Sequence, residues 1–87
     1  MFWSRLRGIF TPGLRKTISA GSRVRVSKGG GWCEDFSGVV SGGPDAVVTR
    51  QGEDYFYFVR FDAPQHDLSD DGPYAEAQIL SRYLTLL

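Results

Sequence analysis

The chain holds one cysteine, Cys33, one methionine and one histidine, His66. A disulfide framework within the chain is therefore excluded, as is a zinc site built on cysteines. A lone thiol fits a reducing, cytoplasmic compartment. No apolar run reaches the roughly 18 residues that span a bilayer. The basic, aromatic N-terminus also lacks the apolar stretch of about 7–15 residues that marks a secretory signal. A cytoplasmic protein is expected. Length sets a further bound, because 87 residues make one domain with one core. A domain of this size buries only about 60% of its unfolded surface. Function is expected on a surface, on loops or between copies, and a deep substrate cavity is not.

No catalytic or metal-binding constellation is present either. Cys33 and His66 are a formal thiol and base, but a reactive thiol needs positive surroundings. Glu34 and Asp35 follow Cys33 directly and oppose the thiolate. Asp62, Asp67, Asp70 and Asp71, with Gly72, offer oxygen ligands. Their spacing departs from the every-second-position pattern of a calcium-binding loop, and they read as solvated loop residues and Asx turns. The expectation is no enzyme, no metal and no cofactor.

What the chain does have is aromatic residues and a divided charge. Hydrophobic residues make up 41% and aromatics 14% of the sequence, which rules out disorder over its whole length. Net charge is zero. Yet Met1–Cys33 carries Arg5, Arg7, Arg15, Lys16, Arg23, Arg25 and Lys28 and no acid. From Glu34 to Leu87 all ten acids stand against Arg50, Arg60 and Arg82. Such a split marks a basic arm for nucleic acid, a membrane surface or an acidic partner, or one that lies on the protein's own acidic face.

Along the chain, Phe2, Leu6, Ile9 and Phe10 recur at helical spacing, with Arg5 and Arg7 between them. Thr11-Pro12-Gly13 ends this segment. Residues 1–17 thus form a short amphipathic helical segment and linker, marginal in water without a surface to rest on. From residue 18 to 87 the pattern is β. Ser22–Ser27 alternates strictly, with Val24 and Val26 on one face and Arg23 and Arg25 on the other. Lys28–Gly31 is a turn. Phe36–Ser41 is a strand broken by Gly42–Asp45, Ala46–Arg50 is a third, and Gln51–Asp54 is a hairpin turn. Tyr55–Phe61 is the strongest strand. Tyr74–Leu80 is ambiguous, with room for one helical turn at Ala75–Ala77, and Tyr83–Leu87 closes the chain. Five strands with a short helical turn before the last describe a small all-β barrel.

Gly21-Ser22-Arg23-Val24-Arg25-Val26, a glycine loop and then Ser37-Gly38-Val39-Val40 resemble the opening hairpin of KOW-type and other SH3-like barrels. Tyr57–Asp62 is similar to the V-x-F-D strand common in them. The resemblance implies a five-stranded SH3-like barrel over about residues 20–87, acting as a binding module. It also implies an alternative role in nucleic-acid binding, with Arg23, Arg25 and Lys28 on phosphates or on an acidic partner. The opening G-x-R-V-R resembles small plasmid-borne dihydrofolate reductases too. Their Val-Gln-Ile-Tyr site segment has only Ala77-Gln78-Ile79-Leu80 as its counterpart here.

The aromatic strand is apolar on both faces until Arg60. Tyr57, Val59 and Phe61 are expected in the core. Phe56 and Phe58 then point outward and need a cover, supplied by Met1–Phe10, by another copy or by a partner protein. Trp32, in the glycine loop, either forms a docking platform with Tyr55 and Tyr74, since Trp and Tyr combine area with one polar handle, or the three are ordinary loop-anchoring aromatics. The leading expectation is a protein-interaction module using Trp32, Tyr55, Phe56, Phe58 and Tyr74. Weak membrane-surface contact through Met1–Phe10 is a further reading.

Overall fold

The structure, a computed structural model, describes residues 17–87. The amphipathic segment expected at Met1–Phe10 lies outside the described residues, and so does its membrane contact. β1 is Arg23–Val26, β2 Phe36–Thr49, β3 Gly52–Gln65, β4 Tyr74–Leu80 and β5 Leu84–Leu86. Short 3-10 turns occupy Lys28–Gly30 and Ser81–Tyr83. All five strands lie in one antiparallel sheet of order β4-β3-β2-β1-β5.

β1 follows from its alternation. Val24 and Val26 are fully buried and the arginines are exposed. After β1, Ser27 caps the first 3-10 turn by accepting the Gly29 N–H at 3.1 Å. Gly31, at φ +100°, ends that turn in the left-handed region. β2 then runs for 14 residues where two separate strands were expected. Gly42–Asp45 does not break the strand. It forms bulges, shown by the register shifts between Val40, Gly42 and Asp45 against a regular β3. Gly43 sits there at φ +99°, and a Cβ on it would lie 2.7 Å from the Phe56 carbonyl.

The expected helical turn at Ala75–Ala77 is instead part of β4, where Ala77 pairs with Val59. The turn falls one step later, at Ser81–Tyr83. The strand count of five therefore matches the expectation through two compensating differences: two expected strands merge, and an ambiguous stretch becomes a strand. Among the described residues β4 and β5 are the outermost strands of the sheet and do not pair with each other. What the structure shows is an open five-stranded antiparallel sheet, not a closed barrel.

The core is Val24, Val26, Trp32, Phe36, Val40, Tyr57, Val59, Phe61 and Ile79. Each fully buried aliphatic or aromatic side chain contributes about 1.5–3 kcal/mol. Tyr57, Val59 and Phe61 are buried as expected. The Tyr57 hydroxyl accepts the Ile18 N–H at 3.0 Å, so the buried phenol has a partner. That bond also ties the start of the described chain to β3.

Candidate functional site

Trp32 is where the structure departs most from the expected docking platform. It is only 8% exposed. Its indole meets Phe36 and Phe61 edge-on at 5.2 Å each and Tyr74 at 6.1 Å. The glycine loop does not display Trp32; it folds the indole into the core, where edge-to-face pairs suit the ring quadrupoles. An isolated bridge from Trp32 to Asp67 holds the loop. So do the Cys33 N–H on the His66 carbonyl and the Leu68 N–H on the Gly31 carbonyl. The acidic loop is thus stitched to the glycine loop by backbone, and its length serves to cover Trp32. Cys33 itself is exposed, its thiol 3.2 Å from the Asp67 carbonyl.

Tyr74 is half-buried against Trp32. Tyr55 is 42% exposed and lies far along β3, opposite Ala46 near the hairpin turn. Trp32, Tyr55 and Tyr74 therefore do not form one surface. Phe56 and Phe58 share the outward face of β3, as the alternation requires. Phe58 is 41% exposed, and its ring crosses Gly42, whose missing side chain leaves room for it at 3.5 Å. Phe56 is half-buried.

A cleft does join two of the expected residues. Trp32 and Phe56 line it together with Gly30, Gln78, Ile79, Leu80 and Tyr83, around a volume of about 150 Å³. Tyr83, from the second 3-10 turn, lays its ring on Gly30 within 3.1 Å of where a Cβ would stand. Sequence reasoning missed Tyr83. The available signal was the glycine run itself: a bare backbone opposite a late aromatic is a place for a ring to rest. A second hollow of about 220 Å³ lies at the tip of the β2–β3 hairpin, lined by Ala46, Val47, Val48, Glu53, Asp54 and Tyr55.

Two ion pairs, Arg23–Asp62 and Arg82–Asp54, tie charged side chains into the fold among the described residues. Arg23 grips Asp62 through its two terminal guanidinium nitrogens, at 2.6 and 3.3 Å. The hydrogen bond from Arg23 lowers the Asp62 pKa, and Arg23 rises in return. One of the three expected phosphate contacts is thereby engaged within the chain. Arg25 and Lys28 are exposed. Among the described residues no group of three or more potential ligands could hold a metal ion. Asp67 accepts the Ser69 hydroxyl and N–H, the Asx turn expected of this loop.

Asp54 is the buried acid of the chain, 8% exposed. It accepts the Ser81 hydroxyl, the Arg82 Nε at 2.7 Å and the Tyr55 N–H at 2.8 Å. Arg82 also donates to Gln51 at 2.7 Å and to the Thr49 hydroxyl at 2.9 Å. One guanidinium thus fastens the hairpin tip to the second 3-10 turn. Burial disfavours the Asp54 carboxylate. The bonds from Ser81, Arg82 and the Tyr55 N–H outweigh that, and its pKa falls below the ordinary value. An acid depressed in the folded state stabilises the fold above its unfolded pKa, near 3.8. That stabilisation fades as pH falls through the folded value. Asp54→Ala is expected to cost about 2 kcal/mol at neutral pH, less than the 3–5 kcal/mol of a fully buried pair, because Arg82 keeps contact with water. Urea unfolding below about pH 4 should show the difference between wild type and variant shrinking.

Compared with protein-family models, with curated proteins and with solved structures, the chain matches none.

Proposed function

We propose that this chain is an SH3-like protein-interaction module whose contact surface is the cleft between the glycine loop and the second 3-10 turn. The observation that carries this reading is that Trp32, Phe56, Leu80 and Tyr83 converge on one small, open, aromatic hollow. Ligand pockets combine apolar walls with a few polar groups, and here Gln78 supplies one. The volume suits one or two apolar side chains, which fits an extended segment of a partner protein better than a metabolite. Proline-rich segments dock on aromatic grooves because they arrive already extended. The acidic loop beside Trp32 favours a basic flank, and the described residues as a whole hold ten acids against six bases. The strand order, with a 3-10 turn leading into a last strand that returns to β1, supports the barrel-type fold the opening hairpin resembles.

The test is peptide selection on the full chain, followed by amide-shift mapping with the selected peptide. Shifts should cluster on Gly29–Trp32, Gln78–Leu80 and Tyr83, and Tyr83→Ala should weaken binding about tenfold, the scale of one good aromatic contact. Selected peptides that shift other residues and ignore Tyr83→Ala would overturn the assignment. So would an oligonucleotide that, at low salt, shifts Arg25 and Lys28 while no peptide binds.

A further inference from the structure

The distal half of β2 points to a second surface. Residues 36–39 of β2 pair with β1, and Val40 bonds Gly21 and Ser22. Beyond that, residues 42–49 pair only with β3 among the described residues. Among the described residues their other side is an edge. Pro44, which has no N–H to give, sits on it, as prolines in sheets do. Yet the edge continues with Ala46, Val47 and Val48, and Val48 is 81% exposed. The bulges, Pro44 and Asp45 blunt this edge at its start, but Ala46–Val48 beyond them carries no charge, and such a stretch is a template for another strand.

We infer that two copies of this chain join by antiparallel pairing of their Asp45–Thr49 edges across a two-fold axis at Val47. The register follows from symmetry. A two-fold axis between antiparallel strands is perpendicular to the sheet, so facing residues share a face and their numbers sum to an even value. Centred on Val47, this sets Val47 against Val47, Ala46 against Val48 and Asp45 against Thr49. Ala46 and Val48 share a face with Tyr55 and Glu53 across the hairpin. Pairing joins Ala46 and Val48 of the two copies into one apolar patch, rimmed by Tyr55 and Glu53 of each. Asp45, Val47 and Thr49 share the other face with Asp54, and there the Arg82 guanidinium rests on the Thr49 hydroxyl. Asp45 is exposed and in no ion pair among the described residues. In the dimer it meets Thr49 and Arg82 of the other copy. This complementarity selects a second copy over an unrelated strand, because the same segment carries the acid at one end and the hydroxyl–guanidinium site at the other.

Sedimentation of the full chain over a concentration series should show a dimer. Asp45→Arg, at an exposed site, should convert it to monomer, with an unfolding transition like that of wild type diluted to where it is monomeric. For register, Val47→Cys in a Cys33→Ser background should form a disulfide-linked dimer on mild oxidation. Directly facing residues lie about 4.5–5.5 Å apart between Cα atoms, within disulfide reach. Val48→Cys in the same background should not, since the two copies of residue 48 stand two positions out of register. A monomer at all concentrations, as would follow if another part of the chain covers this edge, overturns the inference. So does a dimer that survives Asp45→Arg, or one that cross-links as well through residue 48 as through residue 47.

Discussion

Trp32→Ala is expected to lower stability by about 4 kcal/mol, within the range for deleting a buried Trp or Phe. The indole is the hub of the aromatic cluster: Phe36, Phe61 and Tyr74 each meet its ring edge-on. Phe36 and Phe61 also touch each other, at 4.5 Å. Removing the hub leaves three rings facing a void. The bridge to Asp67 would lose its anchor as well, so the acidic loop should loosen with the core. For a domain this small, total stability is of order 5 kcal/mol, so the variant should keep only about 1 kcal/mol and be roughly one-sixth unfolded at room temperature. Trp32→Phe keeps an aromatic ring and should cost about half as much. Urea denaturation of both variants measures the difference. An alanine variant within about 1 kcal/mol of wild type would show that Trp32 is a surface residue after all.

That result bears on what the sequence made legible. The periodicity of Arg23–Val26 and of Tyr55–Phe61 identified the inward residues correctly, because strand alternation is a local property that burial on one side enforces. The outward position of Phe58 was legible for the same reason. Trp32 was not: a tryptophan in a glycine-rich loop has no period, and only the returning loop at Asp67 decides whether it is displayed or buried. The length of β2 was hidden for a similar cause. Gly42-Gly43-Pro44-Asp45 is turn chemistry by composition, but against a straight β3 the extra residues are absorbed as bulges. The cleft was half legible. Trp32 and Phe56 were singled out, but Tyr83 joins them through a contact 53 positions away in the chain from Gly30. The Asp54–Arg82 clasp is likewise a product of folding, since nothing local pairs a hairpin acid with an arginine in the last turn.

Gly38→Ala is expected to cost about 3 kcal/mol or more, and for a different reason from most glycine substitutions. Gly38 is buried between Val24 of β1 and Phe61 of β3, its partners on either side. A Cβ there would lie 2.5 Å from the Arg60 carbonyl and 2.8 Å from a Val59 methyl. The methyl can turn aside; the carbonyl belongs to the β3 backbone and can move only with the strand. Gly52 supplies the contrast. It sits at φ +106° with nothing within 4 Å of a Cβ, so Gly52→Ala meets only the left-handed backbone penalty of about 1 kcal/mol. The pair separates steric from conformational demand: urea midpoints should fall far more for Gly38→Ala than for Gly52→Ala. Equal losses would mean that β3 yields easily at Arg60. The consequence reaches the surfaces. β3 carries Phe56 into the cleft wall and Tyr55 and Asp54 into the hairpin tip. A shift of β3 away from Gly38 therefore moves both proposed contact surfaces, and any Gly38→Ala protein that still folds should bind selected peptide more weakly than wild type does.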